Sequence, residues 1–173
     1  MNLVLIGYRG TGKSVLSNQV ADKLGWPVFH MDEMLVERFG RPIPEFVEAN
    51  GWDAFRDEEQ KLTEELANKD QCVIDCGGGV IVRDANIEAL RQSGFVVWLQ
   101  APVEVIAERI MGDANRPSLT GKGTAADEVR DVLSQREALY QKASHATIDT
   151  NSCSIEQCVE MIFEKFHDAT TQS

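Results

Sequence analysis

The chain has 173 residues, of which 43% are apolar. It contains 17 Lys and Arg and 28 Asp and Glu, so its formal net charge is −11. The length fits a single domain over 1–173 with a sizeable core. The acidic balance argues against non-specific nucleic-acid binding, which needs a basic surface, but does not exclude small anionic ligands. No run of about 18 apolar residues occurs, so no membrane span is predicted.

Short apolar runs alternate with amphipathic segments along the chain. This alternation predicts an α/β fold with a parallel sheet flanked by helices. The predicted strands are 2–6, 27–31, 72–75, 95–100 and 146–149. The predicted helices lie near 13–24, 32–38, 43–49, 53–68, 83–92, 102–111, 125–142 and 154–167. The segment 112–127 is polar, holds three glycines and a proline, and is predicted to be a mobile loop where a lid would lie.

The first strand leads into "GYRGTGKS", Gly7 to Ser14, which matches G-x-x-x-x-G-K-[ST] in full. A strand before the motif and a helix after it are the context of a phosphate-binding P-loop. Its glycines let backbone N–H groups surround phosphate oxygens, and the helix points its positive end at them. Lys13 is predicted to reach the β- and γ-phosphates and Ser14 to bind Mg²⁺. The alternative is a chance glycine turn.

The third predicted strand, "CVID", ends in Asp75, and a single residue, Cys76, separates it from three consecutive glycines. P-loop enzymes commonly hold Mg²⁺ with the P-loop hydroxyl and an Asp at the end of a neighbouring strand, so Asp75 is predicted to be a metal ligand. The alternative is an Asp that caps the next turn. The small core, the candidate lid and isolated Arg and Asp residues near strand ends favour a small-molecule kinase over a GTPase or motor.

The four cysteines show no metal-binding spacing and have no histidine partners. They are Cys72, Cys76, Cys153 and Cys158. The sequence therefore predicts reduced thiols in a cytoplasmic protein.

Six motifs carry a resemblance to the shikimate kinase family across nearly the whole chain. In order they are "GYRGTGKS", "LGWPVFHMD", "GWDAFRDEE", "CGGGVI", "NRPSL" and "QREALY". The resemblance implies a P-loop three-layer fold, with a five-stranded parallel sheet flanked by helices, an acceptor-binding region at about 32–60 and a mobile lid at about 112–124. It also implies transfer of the γ-phosphoryl group of ATP, with Mg²⁺, to the 3-hydroxyl of shikimate, giving shikimate 3-phosphate for aromatic amino acid biosynthesis.

The resemblance also implies roles for residues at the acceptor. Asp32 matches the carboxylate that contacts the acceptor hydroxyls, and it would orient the attacking hydroxyl and take its proton. Arg56 and Arg136 match the arginines that bind the acceptor carboxylate, and Glu59 matches the carboxylate that orients Arg56. The glycines that match the floor of the acceptor site are Gly77, Gly78 and Gly79. Their bare backbone would let N–H groups approach substrate oxygens.

On the nucleotide side, the resemblance implies that Arg116 of the lid closes over the phosphates and neutralises charge in the transition state together with Lys13. Arg109 matches a residue that packs on adenine. The implied nucleotide-binding residues of the P-loop are Gly10, Thr11, Gly12, Lys13, Ser14 and Val15.

One position departs from the family. Where the family usually has Asp-x-Asp, this chain has "HMD", so His30 replaces the first carboxylate, which helps to hold Mg²⁺. The family often has Ser or Thr where this chain has Asp75, and we expect Asp75 to compensate for His30. Two other functions stay open: a kinase for another small sugar acid such as gluconate, and a catalytically silent nucleotide-binding module. A monomer without nucleic-acid or membrane partners is expected.

Overall fold

A computed structural model describes residues 1–111 and 123–171; Arg116 and most of the predicted lid, 112–124, lie outside the described residues. The strands are β1 (Asn2–Ile6), β2 (Val28–His30), β3 (Val73–Asp75), β4 (Gly94–Gln100) and β5 (Ala146–Asp149). The helices are α1 (Lys13–Leu24), α2 (Met31–Phe39), α3 (Ile43–Ala67), α4 (Asp84–Ser93), α5 (Val103–Met111), α6 (Ala125–Ala143) and α7 (Ile155–Thr171). A 3-10 turn covers Val80–Val82. In this part of the chain, no helix is long and apolar enough to cross a membrane.

The sheet is parallel throughout and has the strand order β2-β3-β1-β4-β5. Strand β1 lies at its centre and all five of its residues are buried. Leu5 is in register with Asp75, and His30 is in register with Asp75 from the other side. The carboxyl ends of β1, β2 and β3 therefore meet at one edge of the sheet, where ligands bind in open α/β folds. The predicted five-stranded parallel sheet flanked by helices is confirmed.

Alternate residues of β1 face two separate cores because successive strand side chains point to opposite faces of a sheet. Val4 and Ile6 pack with side chains of α2, α3, α4 and α6. Leu3 and Leu5 pack with side chains of α1 and α7. Every one of these four side chains is fully buried, as expected for a strand covered on both sides. The result is three layers: helices, sheet and helices.

Helix α3 unites the two predicted helices, 43–49 and 53–68. It has a kink at Gly51, whose φ of 86° lies in the left-handed region that favours glycine. After the kink, the helix places Trp52, Phe55 and Arg56 along one cavity. The kink therefore sets the direction of the second half of α3 and, with it, the position of these three side chains.

The prediction of four reduced thiols is wrong for two of them, because Cys153 and Cys158 form a disulfide with a Cα–Cα distance of 6.1 Å. Cys153 lies in the turn after β5, and Cys158 lies in the first part of α7. The chain folds back at this turn, so two cysteines five positions apart meet. Cys72 and Cys76 are free and buried, and burial raises the pKa of the Cys76 thiol well above its usual value.

Candidate active site

The P-loop joins the end of β1 to the start of α1. Gly12 precedes the helix with φ 91° and ψ 14°, a left-handed conformation that lets α1 begin at Lys13 with its first backbone N–H groups open. The Lys13 ammonium donates to the carbonyl oxygens of Gly7 at 2.9 Å and Tyr8 at 3.0 Å. These bonds hold the cation inside the loop, where the motif predicts phosphate oxygens.

A cavity of about 270 Å³ lies over the loop. The predicted nucleotide-binding residues that line it are Gly10, Gly12, Lys13, Ser14, Val15 and Arg109. Arg109 also donates from Nη1 to the carbonyl oxygen of Gly10 at 2.9 Å, so its guanidinium is tied to the loop.

Thr11 has a different position from the rest of this set. It is buried, and its hydroxyl donates to the carbonyl oxygen of Tyr8 at 2.7 Å. Its side chain therefore closes the turn and does not line the cavity. Arg116 lies outside the described residues, so its predicted contact with the phosphates stays a prediction.

Two oxygen donors suited to Mg²⁺ lie at the side of this cavity. The Ser14 hydroxyl donates to Oδ2 of Asp75 at 2.7 Å, although 61 positions separate the two residues. Mg²⁺ takes hydroxyl and carboxylate oxygens, needs one or two protein carboxylates and keeps several waters. Within 1–111 and 123–171, no group of three or more His, Cys, Asp or Glu side chains is arranged to hold a metal ion, and Mg²⁺ does not require such a group. Ser14 and Asp75 thus fit the predicted metal site.

His30 lies beside this pair. Its Nδ1 is 2.8 Å from Oδ2 of Asp75 and its Nε2 is 3.1 Å from Oδ1 of Asn18. His30 and Asp75 are in register on the adjacent strands β2 and β3, and their side chains are in direct contact. His30 therefore contacts Asp75, the carboxylate that was expected to replace the one missing at position 30.

A second cavity of about 580 Å³ adjoins the first. It is lined by every acceptor-binding residue that the family resemblance implied: Asp32, Arg56, Gly77, Gly78, Gly79 and Arg136. They come from α2, α3, the glycine loop after β3, and α6. The fold thus assembles one cavity from four separated stretches of sequence.

Arg56 is oriented by three neighbours on α3. Its Nη1 donates to Oε2 of Glu59 at 2.6 Å, and its guanidinium carbon lies 5.3 Å from the ring centroid of Trp52 and 5.2 Å from that of Phe55. Glu59 is only 1% exposed. Burial raises the pKa of Glu59 above its ordinary value, and the adjacent Arg56 cation opposes that rise.

Trp52, for which the family resemblance implied no role, also lines the larger cavity. Trp52 lies four residues before Arg56 on the same helix, a spacing that places two side chains on one face. This spacing was the sequence signal for the position of Trp52 beside Arg56.

Two of the three glycines, Gly77 and Gly79, leave space that neighbouring polar side chains occupy. A Cβ on Gly79 would lie 2.3 Å from Nη2 of Arg56, and one on Gly77 would lie 2.7 Å from Oδ1 of Asp32. The family resemblance implies that bare backbone admits substrate oxygens, and these contacts give a further reason for glycine at 77 and 79. The carbonyl oxygen of Gly78 accepts hydrogen bonds from Nη1 of Arg136 at 3.3 Å and from the hydroxyl of Tyr140 at 2.5 Å.

Comparison with known proteins places the chain in a family. The family model for shikimate kinase matches residues 9–167. The chain belongs to the shikimate kinase family. It is 35% identical to the shikimate kinase of Leptospira biflexa over 175 residues, which covers 95% of this chain and 94% of that one.

Solved structures agree with membership of the shikimate kinase family. The shikimate kinase of Acinetobacter baumannii, solved in complex with shikimate, superposes with a TM-score of 0.91 at 32% identity and covers 97% of this chain and 93% of its own. A gluconokinase from Sinorhizobium meliloti has a TM-score of 0.58 at 16% identity, covering 99% of this chain and 97% of its own. That second likeness shows a common fold alone.

Proposed function

We propose that the chain transfers the γ-phosphoryl group of ATP to the 3-hydroxyl of shikimate and forms shikimate 3-phosphate for aromatic amino acid biosynthesis. The observation that carries the proposal is the pair of adjoining cavities, with a P-loop in one and Asp32, Arg56 and Arg136 lining the other. Arg56 and Arg136 suit a carboxylate, because the planar guanidinium forms paired hydrogen bonds with carboxylate oxygens.

In the proposed mechanism, Arg56 and Arg136 bind the carboxylate of shikimate, and Asp32 accepts a hydrogen bond from the attacking hydroxyl. The hydroxyl oxygen forms a bond to the γ-phosphorus, the bond from that phosphorus to ADP breaks, and Asp32 takes the proton. Lys13, and Arg116 from outside the described residues, neutralise the charge that spreads over the phosphoryl oxygens.

Ser14 and Asp75 are proposed to hold Mg²⁺, which would neutralise phosphate charge when bound. His30 would keep the Asp75 carboxylate in place through the contact at Nδ1. The same orienting role is common for groups just outside a metal's own ligands.

We further propose that the chain acts as a single domain in the cytoplasm and as a monomer. In that arrangement, residues 32–60 form the acceptor region and 112–124 form the lid. Several residues between 32 and 60 line the larger cavity, which supports the first assignment. The cytoplasmic proposal rests on membership of the family. Reduced cysteines no longer support it fully, because two of the four form a disulfide.

The decisive experiment measures ADP production from Mg·ATP with shikimate, beside gluconate, quinate and nucleoside monophosphates. We expect turnover with shikimate and background rates with the others. Lys13→Met should abolish turnover, whereas Arg83→Met, which removes a cation that lines neither cavity, should preserve it. Turnover with gluconate alone would favour the sugar-acid alternative. Tight nucleotide binding without turnover of any acceptor would favour the silent module.

A further inference from the structure

Arg9, the third residue of the P-loop motif, lies where the two cavities meet. The described residues that line both cavities are Arg9, Asp32 and Glu33. A phosphoryl group that moves from nucleotide to acceptor crosses this junction and carries negative charge. Asp32 and Glu33 are carboxylates and would repel the phosphoryl group. Of the three shared side chains, Arg9 therefore supplies the positive charge that stabilises the phosphoryl group during transfer.

The position of Arg9 is set by an ion pair with Glu128. Nη2 of Arg9 donates to Oε1 of Glu128 at 3.0 Å, and their side chains are 14% and 8% exposed. Glu128 lies in the first turn of α6, directly after the capping box that Thr124 and Asp127 form. A guanidinium is planar and carries five N–H donors, so it can bind a carboxylate and a phosphate together. Glu128 therefore fixes a cation of the P-loop from the first turn of α6.

We propose that Arg9 is a catalytic residue that contacts the phosphoryl group during transfer and then binds the phosphate of the product, and that Glu128 is its positioning residue. The proposal rests on the proposed shikimate kinase function. Arg9 stays protonated throughout, so it adds charge stabilisation and no covalent or proton-transfer step. The competing explanation is that the pair only ties the P-loop to α6.

Four variants and one control separate these explanations. Arg9→Met removes the charge and retains a long apolar side chain, and Arg9→Lys retains the charge without the planar fork. Glu128→Gln retains an accepting oxygen, whereas Glu128→Ala removes it. Arg83→Met is the matched control, because Arg83 also binds a carboxylate, that of Asp57 at 2.7 Å, and is 29% exposed.

Calorimetric titration with shikimate 3-phosphate and with shikimate gives the deciding comparison. Arg9→Met should weaken binding of the phosphorylated compound by about 10- to 100-fold, the range for a charged hydrogen bond, and binding of shikimate by less than about threefold. In the kinetic assay, kcat should fall by about 10- to 100-fold with the KM for shikimate nearly unchanged. Glu128→Gln should stay closer to wild type than Glu128→Ala, and Arg83→Met should match wild type throughout.

Equal loss of affinity for both compounds, or a lower melting temperature with unchanged kcat and affinities, would overturn the proposal and leave a structural tie. If the wild type neither binds nor phosphorylates shikimate, the proposed function fails by itself. The titration is then repeated with Mg·AMP-PNP and Mg·ADP, which differ by the γ-phosphoryl group. Arg9→Met should weaken AMP-PNP more than ADP, and an unchanged ratio of the two dissociation constants would overturn the role of Arg9.

Discussion

Arg56 and Glu59 form an ion pair at 2.6 Å on consecutive turns of α3, with side chains 13% and 2% exposed. The pair holds the guanidinium of Arg56 before any acceptor arrives, so less conformational entropy is lost when a carboxylate binds. Removing one member of a buried pair leaves the other charge uncompensated. The orientation of Arg56 therefore depends on Glu59, although Arg56 alone of this pair is proposed to contact the acceptor.

Replacing Glu59 by Gln should raise the KM for shikimate by about fivefold with a smaller change in kcat. The neutral amide makes a weaker hydrogen bond to Arg56 than the carboxylate does, by about 1 kcal/mol. Steady-state kinetics at saturating Mg·ATP measures this. Glu65→Gln is the control on the same helix, because Glu65 forms a surface pair with Arg38. Equal KM values for the two variants would show that Glu59 does not orient Arg56.

The pH dependence of stability should have opposite signs at these two glutamates. Burial raises the pKa of Glu59 above 4.5, so its contribution is present below pH 4.5 and is lost as pH rises through the higher folded value. The hydrogen bond to Arg38 lowers the pKa of Glu65, so its contribution is present above pH 4.5 and is lost as pH falls.

Urea unfolding measured over a series of pH values tests this pair of signs. With rising pH, Glu59→Gln should gain free energy of unfolding relative to wild type. Glu65→Gln should lose it, and only slightly, because Glu65 is exposed. The same slope for both variants would contradict the burial argument for Glu59.

Asp75→Asn should lower kcat by about 100-fold, while His30→Ala should lower it only a few-fold. Asp75 is the proposed metal ligand, and His30 acts on that carboxylate through its Nδ1. The Mg²⁺ concentration for half-maximal activity should rise far more in Asp75→Asn than in His30→Ala. Equal, small effects of the two substitutions would mean that Asp75 does not compensate for the missing carboxylate.

Removing the Cys153–Cys158 disulfide should cost about 2 kcal/mol or less in the free energy of unfolding, because the closed loop is short. The Cys153→Ser, Cys158→Ser double variant and reduced wild type should give the same urea midpoint. Thiol titration of denatured, unreduced protein should count two thiols, those of Cys72 and Cys76. A count of four would restore the prediction of reduced cysteines.

Local sequence patterns predicted most of the strands and helices and their order. The P-loop and the strand and helix periods are short-range properties of neighbouring residues, so Gly7 to Ser14 and β1 were predictable from spacing alone. The proposed acceptor-binding residues were predicted from the family motifs, because a helix-surface arginine such as Arg136 has no local sign of its proposed role. Arg9 was not singled out, because its position in the motif accepts many residue types.

The sequence alone determined the fold class, the order of the elements, the P-loop and the motifs of the family, because those depend on patterns within a few turns or strands. Only the tertiary structure decided which charges meet. Arg9 contacts Glu128 across 119 positions, and a side chain at Gly79 would displace the guanidinium of Arg56. Cys153 pairs with Cys158 because the chain folds back after β5. Contacts of this kind arise when distant parts of the chain pack together, so they cannot be predicted from a short stretch of sequence.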